Sequence, residues 1–310
     1  MRDPLSIGES ERDGAPARLR LGIVVFWAIH AACLLVFWTG VSRVALVACV
    51  ATYTIQLFGV TAGYHRYFAH RTYRTTRPFQ LVLALLGASA VQQGPLWWAG
   101  HHRHHHRYTD TPDDVHPPGL RGFWWAHVGW VASGRYLATR TEAVRVLERF
   151  AELRFLDRHF EIVPLGLAAA LFALGSLLAH DAPSLGTSGA QMLVWGFAVA
   201  TTLSSHATFT INSLAHVYGR RRFATPDESR NSFSLSLLTF GEGWHNNHHR
   251  YPSSERQGFY WWEIDLTHYG LTALSWLRLV WDLREPPESV YVEAAGGAVG
   301  AAETAVAEST

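Results

Sequence analysis

An all-α integral membrane protein is the fold this sequence predicts, four transmembrane helices carrying a cytoplasmic helical cap, and three observations predict it. Charged residues make up only 16% of the 310 while 48% are hydrophobic, against about 25% charged in soluble domains. Apolar runs long enough to cross a hydrocarbon core of about 30 Å at 1.5 Å per residue recur along the chain. Histidine, with 18 copies, recurs at helical spacings close to the ends of those runs. A net charge of +1 gives no reason to expect nucleic acid as a partner.

The elements follow in order. Residues 1–20 are polar, with Pro4, Gly8, Gly14 and Pro16 among charges of both signs, and are expected to form a disordered N-terminal tail. The membrane domain runs from 21 to 284. Its first span, about 21–40, is too long for a signal-peptide core and no small-residue cleavage site follows, so it is read as retained. A second span, about 44–63, returns after Ser42 and Arg43. The third and fourth are about 160–178 and 191–213.

Every basic residue is arginine, and arginines crowd 66–158 and 220–256 but are missing from the 180–189 linker. The positive-inside rule therefore places both termini and both large loops in the cytoplasm of a multi-pass cell-membrane protein. Residues 79–100 are apolar but hold Gln92, Gln93, Gly94 and Pro95. If they crossed, His65 and His70 would lie on the far side of the bilayer from His102–His106, so they are expected to form a re-entrant or buried hairpin. Residues 225–284 are Trp-rich and read as an amphipathic cap, with Trp261 and Trp262 as interface anchors. From Glu285 the chain is Ala, Gly and Glu and is expected to be a disordered tail. Cys33 and Cys49 fall within spans and read as free thiols.

His102, His105 and His106 stand at i, i+3 and i+4, which puts three imidazoles on one helical face. His245, His248 and His249 repeat the pattern. His65 and His70 are five apart, about 140° around an α-helix, and converge only across a helix end or kink. Asn212 and His216 form a facing i, i+4 pair. The clusters are internal and interrupted by Arg103, Asn246 and Asn247, which excludes an affinity tag. Isolated histidines, His30, His159, His180, His206 and His268, are set aside as interfacial or satisfied polar residues.

Imidazole-rich, carboxylate-poor coordination suits iron, zinc or copper rather than magnesium or calcium. Eight or nine imidazoles exceed the needs of one ion, so two are implied. Neutral ligands keep such a site strongly cationic, which favours dioxygen activation at a pair of irons over a structural zinc. Glu242, Asp110, Asp113 and Asp114 are candidates to orient the imidazoles from behind.

At these motifs the chain resembles the membrane-bound fatty acyl desaturases of the stearoyl-CoA type. His65-Arg-Tyr-Phe-Ala-His70 resembles their first histidine box and His102-Arg-His-His-His106 their second. Asn212-Ser-Leu-Ala-His216-Val-Tyr-Gly219 resembles their asparagine–histidine element, and Glu242-Gly-Trp-His-Asn-Asn-His-His249 their third box. Arg121-Gly-Phe-Trp-Trp-Ala-His127-Val-Gly-Trp130 is also similar, and the likeness covers roughly 63–282.

The resemblance implies a four-span fold with a cytoplasmic cap and two iron ions. It implies that His65, His70, His102, His106 and His248 hold one iron, and that His105, His216, His245 and His249 hold the other, with Asn212 reaching it through water. His101 and His104 would be non-ligands. The implied activity is oxygen-dependent desaturation of a long-chain fatty acyl thioester, acyl-CoA at the delta-9 position first. Gln92, Trp98, Thr208 and Phe209 match tunnel-lining positions.

One departure bears on the acyl carrier. Where the acyl-CoA enzymes carry Arg-Asp before the second box, this chain has Gly100-His101, which makes acyl carrier protein or a phospholipid the second choice. Arg220, Arg221 and Arg222 are candidates to meet a head group. With no cysteine set for an iron–sulfur cluster, electrons are expected from a separate reductase, ferredoxin or cytochrome.

Two other functions compete. A membrane hydroxylase of an alkane, sterol, carotenoid or lipid would share the metal chemistry. A histidine-rich metal transporter would carry ionisable residues inside its spans, whereas these clusters sit beyond the span ends.

Overall fold

The computed structural model describes residues 17–292. The tail expectations for 1–16 and 293–310 lie outside the described residues. Helix α1 (Ala17–Ala32) continues through a tight turn at Cys33–Leu35 to Thr39, so it starts inside the expected tail. Ser42 caps α2 (Arg43–Phe58) by accepting from the Ala45 amide at 3.1 Å, the side-chain capping that Ser at this position provides.

Helix α2 does not stop with the apolar run at residue 63. It widens into a π-helix over Gly59–Ala69, because Tyr64, His65, Arg66 and Phe68 are buried among other elements rather than facing solvent. Helix α3 (Arg77–Ala88) folds back against it so closely that a β-carbon on Gly59 would lie 2.3 Å from the Leu86 backbone.

Helices α3 and α4 (Pro95–Tyr108) make a hairpin through the turn at 89–94, and α3, with twelve residues, is about 18 Å long at 1.5 Å per residue. Two amphipathic helices, α5 (Thr141–Glu148) and α6 (Ala151–Arg158), bury Val144, Leu147, Leu153 and Leu156 against this hairpin. Helix α7 (Ile162–Asp181) follows, and then Gly189–Leu193 and a π-helical turn at Val194–Val199 lead into α8 (Ala200–Ser213).

Three helices among the described residues are long and apolar enough to span a membrane: Gly22–Thr39, Arg43–Ala69 and Ile162–Asp181. They overlap the first three expected spans. The run ending in α8 is more polar, with Thr201, Ser204, Ser205, His206 and Thr208.

The remainder packs over the ends of α2 and α8. It comprises α9 (Phe233–Leu238), α10 (His245–Arg250) and α11 (Leu266–Trp276). The two-residue strands β1 (Arg74–Thr75) and β2 (Val280–Trp281) pair antiparallel. The tail expected to be disordered from Glu285 is ordered further than that. Val290 is buried with Phe223 and Phe259, and the Tyr291 hydroxyl donates to the Phe259 carbonyl at 3.0 Å. The reason is apolar: Val290 and Tyr291 interrupt the Ala, Gly and Glu composition.

Candidate metal centre

The π-helix settles how His65 and His70 converge. The His70 amide donates to the His65 carbonyl at 3.1 Å, an i→i+5 bond, so residues five apart stack one turn above the other. Their rings lie 4.8 Å apart.

The residues between the ligands build the scaffold. Arg66 is fully buried and donates to Glu242, Glu255 and Asp265. Arg103 donates to the carbonyls of Phe68, Ala69 and Ala143, satisfying carbonyls at the end of the π-helix that have no partner within it. Asn246 accepts from the Arg222 and Phe223 amides, while Asn247 donates to Glu263.

The result is two groups of imidazoles. His65, His70, His102, His106 and His248 form one, and His105, His216, His245 and His249 the other, with the ligand atoms of each group within 4.8 Å of one another. The structure brings together the nine histidines that the resemblance names, five in one group and four in the other. His101 and His104 belong to neither group and bond instead to the carbonyls of Ala138 and Asp113.

Carboxylates behind the rings set their tautomers. Glu242 lies 2.5 Å from His65 Nδ1, Asp114 3.0 Å from His105 Nδ1, and Asp110 2.9 Å from His216 Nδ1. Each accepts the Nδ1 proton and leaves a bare Nε2 lone pair pointing inward. Sequence reasoning missed Asp227, 3.0 Å from His249 Nδ1, and named Asp113, whose carboxylate holds no imidazole and whose carbonyl serves His104. Sequence reasoning also missed His116, which joins His105 and Asp114 in a third cluster.

Four carboxylates one bond behind the ligands moderate the strongly cationic character inferred from the imidazoles alone. Burial would raise the Asp114 carboxyl, but the adjacent His105 and His116 rings and the bonds from His105 and the Asp110 amide hold it well below the ordinary carboxylate range. Burial and mutual repulsion push His70, His102, His106, His245 and His248 well below the usual histidine value. They are neutral, with lone pairs free.

These lone pairs fit a cation. His248 Nε2 faces His65 Nε2 at 3.1 Å and His106 Nε2 at 2.9 Å, yet a neutral imidazole has a single proton to share. His249 Nε2 is buried with no protein partner. A metal ion at each group satisfies nitrogens that cannot satisfy one another, and an all-imidazole donor set suits a first-row transition ion.

Beside the centre lies a cavity of about 810 Å³, lined by His102 and Asn212 and by all four expected tunnel residues. Trp98 stacks on His102 and donates to Gln92 at 3.3 Å, and Gln92 donates to Thr208 at 3.0 Å. Phe209 is buried beside them. The cavity lining does not include Arg220, Arg221 or Arg222. Arg221 donates to the Thr225 carbonyl, and Arg222 pairs with Glu263 and sits over the Tyr260 ring. Arg154 and Arg158 line the cavity instead, with Glu148, Asp157 and Glu161. A β-carbon on Gly100 would approach the Arg140 carbonyl at 3.1 Å, and Arg140 donates to His101 at 3.3 Å. The second box is thus packed against Arg140 where the resemblance leads one to expect a charged pair.

The family model for fatty acid desaturase matches residues 41–275. Among curated proteins, the chain is 38% identical over 240 residues to a delta-9 acyl-lipid desaturase 2 of Arabidopsis thaliana, covering 76% of this chain and 74% of that one. It is 37% identical over 244 residues to an acyl-CoA C20 delta5-desaturase of Anemone leveillei, covering 77% and 74%. A sn-1 stearoyl-lipid 9-desaturase of Synechocystis sp. is 34% identical over 282 residues, covering 88% and 82%.

Proposed function

Because the chain belongs to the fatty acid desaturase family, and is an oxidoreductase of that kind, we propose that it removes two hydrogens from a long-chain fatty acyl group at a pair of histidine-held irons, with dioxygen as oxidant. The observation that carries this reading is the adjacency of the two imidazole groups to an acyl-sized cavity through His102 and Asn212. The first reading of the substrate is an acyl-CoA thioester desaturated at the delta-9 position. A glycerolipid-borne acyl group is the second, favoured by the acyl-lipid and stearoyl-lipid names of two relatives. The topology proposed is four spans, with α8 as the fourth, and both termini and the metal centre at the cytoplasmic face of the cell membrane.

Iron, when bound, would supply the oxygen activation that no amino-acid side chain provides. The protein's own work is placement. His65, His70, His102, His106 and His248 would hold one ion and His105, His216, His245 and His249 the other, with Asn212 holding a water beside the second. Glu242, Asp114, Asp110 and Asp227 hold four of those rings in one tautomer. The Trp98–Gln92–Thr208 chain fixes the wall against which the acyl chain lies next to His102, and near-attack placement of this sort supplies much of the rate in such reactions. Apolar walls exclude water. Electrons would come from a separate donor protein.

Expression in a desaturase-deficient host, followed by gas chromatography of its fatty acids, tests the reading. An oxygen-dependent double bond is expected. A hydroxylated product would instead assign the chain to the hydroxylases, and metal uptake into vesicles without any oxygen-dependent product would assign it to transport.

A further inference from the structure

Three imidazoles outside the metal centre stand in line through the apolar part of the molecule. His127 lies in the π-helical turn Trp125–Gly129. Its Nε2 is 2.9 Å from His206 Nδ1, His206 Nε2 is 3.3 Å from His30 Nε2, and His30 Nδ1 is 2.7 Å from the Phe26 carbonyl. A carbonyl only accepts, so neutral His30 carries its proton on Nδ1 and accepts on Nε2. His206 then donates from Nε2 and accepts on Nδ1. His127 donates from Nε2, and its Nδ1 lies 3.0 Å from the Ser213 hydroxyl oxygen, whose own proton goes to the Phe209 carbonyl at 2.8 Å. Five of the six ring nitrogens are paired in this one direction without any net charge. Removing one ring leaves the next unpaired where little water can replace it, which makes such a chain rigid.

The ladder ties the middle of a helix whose far end is held by Gln191, which donates to the Thr39 carbonyl at 2.9 Å. Only 6% of the Gly22–Thr39 window is buried. Helix α1 meets α8 in antiparallel register through Phe26 with Phe209, His30 with His206, and Cys33 with Thr202. That contact also walls the cavity. Phe26, Ile29, Ser205 and Phe209 line it, and behind Phe26, Ile29 and Ser205 lies a small gap bounded by His30, Thr201 and Thr202. Along α8, Ser205 stands seven residues before Asn212, about 10 Å deeper at 1.5 Å per residue.

We infer that the His30–His206 rung fixes the deep wall of the cavity and thereby selects the length of the acyl chain accepted. The inference rests on the proposed reading of the cavity as the acyl tunnel. Carbons beyond the reacting pair run along Phe209, Phe26 and Ile29 to Ser205, and the rung holds that wall in place. Shortening His30 opens the gap behind that wall, and shortening His206 removes the partner that holds His30, so either frees α1 to move outward.

The test uses the full chain in the desaturase-deficient host, fed saturated fatty acids of graded length. His30→Ala and His206→Ala are expected to raise the ratio of longer to shorter unsaturated products, for acids two carbons apart, by at least about tenfold, the discrimination a methylene-sized change commonly carries. The position of the double bond counted from the carboxyl end should not move. Ile29→Trp fills the same wall without touching the ladder and is expected to shift the ratio the other way, so it decides the matter if either histidine variant fails to accumulate. Wild-type ratios in the accumulating variants overturn the inference while leaving the desaturase reading intact. A wild-type chain that makes no unsaturated product overturns the desaturase reading and the inference with it.

Discussion

The Asp227 carboxylate lies 3.0 Å from His249 Nδ1 and also accepts from the Ser229 amide at 3.0 Å, so a loop residue well before the third histidine box orients one of its rings. Burial alone would raise this carboxyl, but the His249 contact and the Ser229 bonds hold it below the usual range. Replacing Asp227 by Asn is expected to lower turnover and metal retention by about 10- to 100-fold, the usual cost of losing such a partner. Asp113→Asn keeps the backbone carbonyl that serves His104 and alters a carboxylate that holds no ligand ring, so it should change neither. Metal content per protein and turnover, measured together on both variants, check the pair; equal behaviour of the two would contradict the assignment.

His105 and His104 are neighbours with opposite fates. His105 faces the second imidazole group, and His104 is occupied by the Asp113 carbonyl at 2.8 Å. His105→Ala should abolish desaturation, and His104→Ala should keep most of it. Fatty-acid profiles of the complemented host provide the readout, and an active His105 variant would refute the ligand set.

Asp157 holds the start of the second-box helix. Its carboxylate accepts from the Leu96 and Trp97 amides at 3.0 and 2.8 Å and from the Thr139 hydroxyl at 2.7 Å. Burial pushes this carboxyl up in spite of those donors. Alanine there strands two buried amides at roughly 1–3 kcal/mol each, so Asp157→Ala should cost about 2 kcal/mol or more. Asp157→Asn keeps an acceptor and should cost less than half as much. Thermal unfolding in detergent ranks the two, and a reversed order would remove Asp157 from this role.

His268 supplies a pH dependence away from the metal ligands. Burial lowers its pKa, but the bond to Glu255 at 2.7 Å and the charges of Glu255 and Asp265 raise it overall above 6.5. A raised folded pKa means the protonated ring stabilises the fold. That contribution is fully present below about pH 6.5 and is lost as pH rises through the folded value. The unfolding temperature of the wild type should therefore exceed that of His268→Gln most at acid pH, the gap closing above neutrality. Parallel curves for the two proteins would show that His268 makes no such contribution.

Much of this centre was legible because chemistry imposed local spacing. Nine histidines could be picked out because eight of them recur at short intervals along helices, and the ninth, His216, faces Asn212 one turn away. The five-residue gap between His65 and His70 signalled a departure from α-helical geometry without saying which, and the π-helix supplied it. Asp227 carried no such signal. Its partner is 22 residues away, and an acidic residue in a polar loop looks the same whether it is solvated or bonded. The same holds for His30, His127 and His206, which are isolated in sequence and meet only when α1, α8 and a π-helical turn pack together. The order of Val290 was lost in the average composition of the tail around it.

Arg66 stands next to His65 and ties α2 to Glu242, Glu255 and Asp265. A guanidinium so deeply enclosed is tolerable only with its carboxylates present, and those carboxylates belong to the last quarter of the chain. During synthesis, the first two histidine boxes therefore emerge long before anything can close over them. A ribosome-bound fragment has neither the third box nor the ion cluster beneath it. Assembly is thereby ordered in time, and both imidazole groups are completed only once the last quarter of the chain has been made.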